Sequence, residues 1–263
     1  MGVGQVSGAV SQQQRRERIR QAVLADGTVR IERLVEEYGV SGMTIHRDLD
    51  VLERQGWLRK VRGGATSTPG SLLPRSVGAR RSDAAEAKSR IARHALRHLS
   101  PGQVVALDDS TSGLAVAERL GELAPLTVVT NFLPVINRLR EEDGVHVIGL
   151  GGDFHPGYDA FFGLHAAEMA GALRSDVLLL SATAVVDGHC LHRSLESVQV
   201  KRALMRTAAT RVLLADRSKF ERRAVHELAP LTEFDLVVVD PATPRPVLDE
   251  LRERGVAVEV AEA

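Results

Sequence analysis

Two stretches of this chain carry side chains whose types and spacing suit binding chemistry. The first is Asp108-Asp109-Ser110-Thr111-Ser112-Gly113, which directly follows the apolar run Val104 to Leu107 and opens a helical stretch from Leu114 to Leu120. Hydroxyls and free backbone N–H groups at a helix start favour an anion. Thr130-Asn131 ends a second apolar run, and Gly151-Gly152 follows a third, where missing side chains let a ligand approach closely. Lys201, in a helical stretch, and Lys219, after a strand, are candidate cations for a phosphate. Singly, a Ser/Thr-rich turn is more often a plain N-cap, a glycine pair a plain turn and a lysine a solvated side chain. Their recurrence behind successive strands points to a phosphorylated ligand.

The second stretch lies nearer the N-terminus. Ser41 can cap a helix whose buried face is Ile45, Leu49 and Leu52, so its first turns expose Met43, Thr44, His46, Arg47 and Asp50. Such groups can meet base edges and phosphates in a DNA major groove. Past Gly56, the alternation Trp57-Leu58-Arg59-Lys60-Val61-Arg62 reads as a β-ribbon ending in the flexible pair Gly63-Gly64, with Arg59, Lys60 and Arg62 suited to phosphates beside the groove.

These residues need scaffolds. Ile19, Ala22 and Val23 form a helical stripe, and Ile31, Leu34, Val35 and Tyr38 a second one that stops at Gly39. Two helices, a tight Gly-Val-Ser turn, a polar-faced third helix and a basic ribbon compose a winged helix-turn-helix rather than an inert three-helix bundle. Residues 63–82, with Thr66-Ser67-Thr68-Pro69-Gly70-Ser71 and Pro74, read as turn and linker. Beyond Asp83, short apolar runs alternate with helical stretches: 104–107, 128–130, 145–148, 177–180, 212–215, 236–239 and 256–260. That pattern predicts an α/β class: an open, mostly parallel sheet covered on both faces. In such a sheet ligands bind at the carboxyl ends of the strands, where the Asp108, Thr130 and Gly151 loops fall. The expected organisation is a disordered tail at 1–13, a DNA-binding domain at 14–65, a linker at 66–82 and a sensing and oligomerisation domain at 83–263.

Composition restricts the reading further. The 263 residues are 44% hydrophobic and 26% charged, ordinary for a globular protein, and the formal net charge is zero. A nucleic-acid contact must then be local. Residues 15–62 hold eleven Lys and Arg against eight Asp and Glu, which places the positive charge at that end. The single cysteine, Cys190, excludes an internal disulfide and fits a reducing cytoplasm. No run approaches the roughly 20 apolar residues of a membrane helix, and no membrane partner is expected.

The N-terminal run from Val40-Ser41-Gly42-Met43-Thr44-Ile45-His46-Arg47-Asp48-Leu49 through Leu52-Glu53, Gly56 and Arg62-Gly63-Gly64-Ala65 resembles the DeoR family signature. The resemblance continues to Asp240. Asp108 to Ser112 matches the family's Asp-x-Gly-Thr-Thr loop, followed by Thr130-Asn131, Gly151-Gly152, Gly163 and Asp216-Arg217-Ser218-Lys219-Phe220. It implies a sensor domain similar in fold to ribose-5-phosphate isomerase and the coenzyme A transferases, and repression relieved by a sugar phosphate. His46 stands where the family usually has arginine and cannot make arginine's bidentate guanine contact. Ser110 and Ser112 replace the loop glycine and second threonine, and serine is poor at positive φ, so a reshaped loop is expected there.

The reading is thus a DNA-binding transcription regulator that binds double-stranded DNA and a phosphorylated sugar or related metabolite. It is expected to act as a homodimer or homotetramer, since one recognition helix buries too little to select a genomic site. Two alternatives stay open: a DNA-binding protein whose second domain only oligomerises, and an isomerase-like enzyme using Asp108, Asp109 or Glu196 as a base. No catalytic residue, cofactor or metal is assigned. His189, Cys190 and His192 lie together, but a structural zinc site wants a fourth ligand that the local sequence lacks.

Overall fold

The structure is a computed structural model that describes residues 11–54, 58–66 and 77–262. The chain divides into two units, Met1–Ala79 and Arg80–Ala263.

In the first unit, α1 (Gln12–Asp26) begins at a capping box in which the Ser11 hydroxyl accepts from the Gln14 backbone and the Gln14 side chain accepts from the Ser11 N–H. The expected disordered tail to residue 13 is corrected here, because that cap starts the helix at Gln12; residues 1–10 lie outside the described residues. Strand β1 (Thr28–Arg30), which period-based reading of so short a run does not detect, leads into α2 (Ile31–Tyr38) and α3 (Gly42–Arg54). Gly39 closes α2 at φ 61°, the left-handed cap expected of it. Strands β2 (Arg59–Val61) and β3 (Gly64–Thr66) complete an antiparallel sheet of order β1-β3-β2. The ribbon therefore does not end at Gly63-Gly64. Gly63, at φ 77°, turns the hairpin, and Gly64 begins the return strand so close to β1 that a Cβ would lie 2.1 Å from the Val29 carbonyl oxygen. Trp57 and the linker residues 67–76 lie outside the described residues. Ile19, Val23, Val29, Leu34, Ile45, Leu49, Leu52, Leu58 and Ala65 form the core.

Residues 77–82, expected within the linker, form helix α4 (Val77–Ser82). It is followed by α5 (Ala85–Ala95), β4 (Val104–Leu107), α6 (Thr111–Ala117), β5 (Leu126–Thr130), α7 (Leu133–Leu139) and β6 (Val145–Gly149). Next come a hairpin of β7 (Asp153–His155) and β8 (Ala160–Phe162), α8 (Gly163–Ala172), β9 (Ser175–Leu180), β10 (Ala184–Val186) and β11 (His189–His192). The chain closes with α9 (Leu195–Thr207), β12 (Ala208–Ala215), β13 (His226–Pro230), β14 (Leu236–Val239), α10 (Arg245–Glu253) and β15 (Val258–Val260). All seven apolar runs enter one parallel sheet, in the order β15-β14-β12-β9-β4-β5-β6. From β4 the chain adds β5 and β6 on one side, then crosses to β9 and adds the rest on the other. The order reverses between β4 and β9, and in open α/β sheets the crevice at that reversal is where ligands bind.

Candidate functional site

In the first unit the cap and the recognition helix form as the sequence implies. The Ser41 hydroxyl accepts from the Thr44 N–H at 3.3 Å and lies 3.0 Å from the Thr44 hydroxyl. Ile45, Leu49 and Leu52 are buried, whereas Met43, His46 and Arg47 are exposed and Thr44 is half-buried. Arg59 and Arg62 are exposed on the wing. Lys60 differs: its ammonium pairs with Asp50 and its N–H donates to Glu53 Oε1 at 2.6 Å, so it ties the wing to α3. Asp48, one residue of the family-like run, has a packing role that its place in that run does not announce. Fully buried among the apolar residues of α3, it accepts from Arg15 Nε and Arg16 Nε, both at 2.7 Å, and so fixes α3 to α1. The signal was available, because Asp48 occupies an i+3 position from Ile45, where a carboxylate demands a buried cation.

In the second unit, β4 delivers Asp108 and Asp109 to the reversal point, where both are buried. Lys201, projecting from α9, is also buried. Its ammonium pairs with Asp108, lies 2.9 Å from Asp109 Oδ1 and donates to the Ser181 carbonyl at 3.3 Å. Asp108 further accepts from the Ser181 N–H at 2.8 Å and the Ser110 N–H at 3.1 Å, joining the ends of β4 and β9. Ser197 donates to Asp109 Oδ1 at 2.9 Å. Burial would push the Asp109 carboxyl up, but Lys201, His192 and Arg80 outweigh it and hold the group well below the usual carboxylate range. Lys201 responds in the opposite sense: burial would lower it, and the two carboxylates raise it. Burial first, then the Lys201 charge, holds His192 down at about 3, so that imidazole is neutral.

The turn into α6 is ordinary in conformation. Ser110 sits at φ −97°, and its hydroxyl accepts from the Gly113 N–H at 2.9 Å. The expected reshaping does not arise, because this position needs no positive φ and serine caps the helix itself. Thr111 donates to the Arg80 carbonyl at 3.1 Å, and Ser112 is buried in the same turn. Thr130 and Asn131 end β5 alongside: the Thr130 hydroxyl accepts from the Phe132 N–H, and Asn131 Nδ2 donates to the Phe161 carbonyl at 2.9 Å. Asn131 Oδ1 and Asp109 Oδ2 are buried with no hydrogen-bond partner among the described residues. Gly152, at φ 149°, is needed for packing, since a Cβ there would lie 2.3 Å from the Phe162 carbonyl oxygen; at Gly151 a Cβ would meet open space.

Arg80, inside the stretch expected as linker, is a central element of this rim. Its guanidinium donates to the Asp109 and Tyr158 carbonyls, each at 3.1 Å, and lies over the Phe132 and Tyr158 rings. Lys219 Nζ is 3.7 Å from Asp216 Oδ2, and burial together with Arg222, Arg80 and Arg193 lowers it to about 8 despite that carboxylate. Lys88 donates to the Arg80 and Asp83 carbonyls, and burial, then Lys219, lowers it to about 7. Charge repulsion among these cations is what an incoming anion would relieve. Of the predicted ligand contacts, Ser110 and Thr111 follow β4, Thr130 and Asn131 follow the neighbouring β5, and Lys219 follows β12, two strands from β4, whereas the Asp108 carboxylate is spent on Ser110, Ser181 and Lys201. The Lys201 charge is instead committed to its own carboxylates. Glu196 is largely exposed and, held by its own backbone N–H and by Ser194, lies below its ordinary range, the wrong direction for a base. His189 and His192 fall on opposite faces of β11 from one another, with Cys190 buried and its thiol pushed up by burial, so the three do not converge.

No helix of the described residues is long and apolar enough to cross a membrane. The chain matches the DeoR-like helix-turn-helix domain over residues 15–69 and the DeoR C-terminal sensor domain over residues 83–241. It is 31% identical to the putative aga operon transcriptional repressor of Escherichia coli O157:H7, over 93% of this chain and 92% of that one. It is 30% identical to the glycerol-3-phosphate regulon repressor of Escherichia coli (strain K12), over 95% and 100%, and 31% identical to the L-fucose operon activator of Haemophilus influenzae, over 88% and 92%. With both of its domains matched in order, and with relatives of its full length that are transcription regulators, the chain belongs to the DeoR family of DNA-binding transcriptional regulators.

Proposed function

We propose that this regulator is a cytoplasmic, non-enzymatic repressor released by a phosphorylated sugar or closely related metabolite bound at the β4–β9 reversal point. The observation that carries this reading is the cationic group of Lys219, Arg80 and Lys88 at the strand ends, in which burial and like charge depress both lysines. A phosphate placed against Lys219 and the Ser110–Ser112 turn offsets that repulsion. Asp109 Oδ2 and Asn131 Oδ1, buried acceptors lacking donors, suit the hydroxyls of a sugar. The enzyme alternative is weakened because Asp109 is held ionised by Lys201 rather than raised toward neutrality as a general base would be.

On the DNA side, Thr44, His46, Arg47 and Met43 face base edges and Arg59 and Arg62 the phosphates, with Ser41 capping the reading helix. A homodimer or homotetramer supplies the repeated half-sites that one short helix cannot select alone. The effector must bind the DNA-competent and incompetent arrangements unequally to act at all. Fluorescence anisotropy on DNA upstream of the protein's own gene, at two salt concentrations and with a sugar-phosphate panel, tests the reading. Selective, salt-sensitive binding weakened by one compound is the expected result. Selective binding that no phosphorylated metabolite alters would overturn the effector assignment and favour an oligomerisation-only domain.

A further inference from the structure

Away from the reversal point, three metal-ligating side chains converge. His94 near the end of α5 and His98 in the turn that continues it stand four residues apart, on one side of the helix. Glu259 reaches them from β15, the edge strand of the large sheet. Glu259 Oε2 lies 2.7 Å from His94 Nε2 and 2.9 Å from His98 Nε2, and the three ligating atoms all fall within 4.8 Å of one another. Arg97, the one cation between the histidines in sequence, is turned to Glu262, with contacts of 2.6 and 2.9 Å. It therefore leaves the carboxylate of Glu259 to the imidazoles.

We propose that His94, His98 and Glu259 bind a divalent transition metal ion of the zinc class, which staples α5 to β15. Zinc bonds of about 2.0–2.1 Å in tetrahedral array place neighbouring ligand atoms roughly 3.3 Å apart. The two carboxylate–imidazole separations need open by only a few tenths of an ångström to admit the ion. Two neutral imidazoles and one carboxylate are a donor set that transition ions prefer and magnesium or calcium do not. His94 is almost wholly buried, which fixes one ligand, while His98 and Glu259 are part-exposed and leave an entry path and room for water as a fourth ligand. The ion would brace the helix whose other end, through Lys88, holds the Arg80 backbone of the effector rim.

The test uses the full chain, freed of any affinity tag and stripped with a chelator, titrated with Zn²⁺ against a chromophoric competitor. About one ion per chain is expected, with a thermal midpoint that rises with free Zn²⁺. Co²⁺ should give visible absorption bands of low-symmetry nitrogen and oxygen ligation. His98→Ala and Glu259→Gln should each weaken binding by at least about 100-fold, more than loss of a supporting outer contact produces, while His165→Ala, on an exposed histidine, should not. Circular dichroism establishes that each variant is folded, and Glu259→Gln keeps a hydrogen-bond acceptor should His98→Ala destabilise the helix end. Equal affinity in wild type and both folded variants, or no ion bound by the wild type, would overturn the site and leave a plain His–Glu contact.

Discussion

Replacing Lys201 by methionine, similar in length and uncharged, isolates the buried charge at the heart of the sensor unit. The ammonium lies 2.9 Å from Asp109 Oδ1 and also pairs with Asp108. At that separation and an effective dielectric constant of about 20, each pair is worth about 6 kcal/mol of gross attraction, most of it offset by desolvation. Removing one partner leaves two carboxylates uncompensated, for which a loss of about 3–5 kcal/mol is the measured scale. For a unit of the length Arg80–Ala263 this corresponds to a midpoint lowered by about 6–20 °C in thermal denaturation at pH 7. The pH dependence has a defined sign. In the wild type Asp109 is depressed, so its contribution is present above the unfolded carboxylate value of about 4 and is lost as pH falls below it. In Lys201→Met the largest opposing charge is gone and burial, the leading influence, is set mainly against Arg80, so the carboxyl moves upward and the variant loses less stability than the wild type as pH falls from 7 to 5. The deficit therefore shrinks on mild acidification, and adding Asp108→Asn should restore part of it at pH 7. A deficit under about 1 kcal/mol at pH 7, or one unchanged between pH 7 and 5, would refute the assignment of this charge as the lock between β4, β9 and α9.

Asp48→Asn strands the Arg15 guanidinium against the α1–α3 interface and should cost the DNA-binding unit about 3 kcal/mol. The readout is faster limited proteolysis of that unit alongside loss of operator binding, with the sensor unit's melting unchanged. Arg47→Ala should weaken specific DNA binding by about 1–3 kcal/mol and relax selectivity at one base pair, whereas Arg59→Ala should weaken all sequences alike and lower the salt slope by about one; anisotropy titrations on single-base operator variants distinguish them. Because Lys88 titrates at about 7 and Lys219 at about 8, affinity for a phosphorylated effector should weaken as pH rises above 7, with the part of the fall centred near 8 due to loss of the Lys219 ammonium. Calorimetry at several pH values should find that part of the fall absent in Lys219→Met; the same fall in both would remove Lys219 from the site.

Periodicity alone located the large sheet, because a strand buried on both faces must be apolar throughout and the inner strands carry such runs, while the edge strands β6 and β15 admit His146 and Glu259. The recognition helix was equally legible: the cap at Ser41 and the stripe Ile45-Leu49-Leu52 are local facts of spacing. Strands of three residues such as β1, β7 and β10 hold no full period, so they exist only through their pairing, β7 and β10 with the next strand of a hairpin and β1 with β3, distant in sequence. The fate of individual charges was likewise decided by tertiary structure. Lys201 and Lys219 read alike along the chain, yet one is neutralised by carboxylates 93 and 92 positions away while the other has one looser carboxylate, Asp216 at 3.7 Å, and faces Arg222, Arg80 and Arg193. Arg80 sits in turn-rich sequence and reaches the strand ends only because the end of β4 and the turn of the β7–β8 hairpin supply the carbonyls that hold it. Local patterning is written in the covalent order because it depends on neighbours three or four residues apart. The pairing of buried charges depends on which strand ends the topology places side by side, and that is settled only when the sheet has formed.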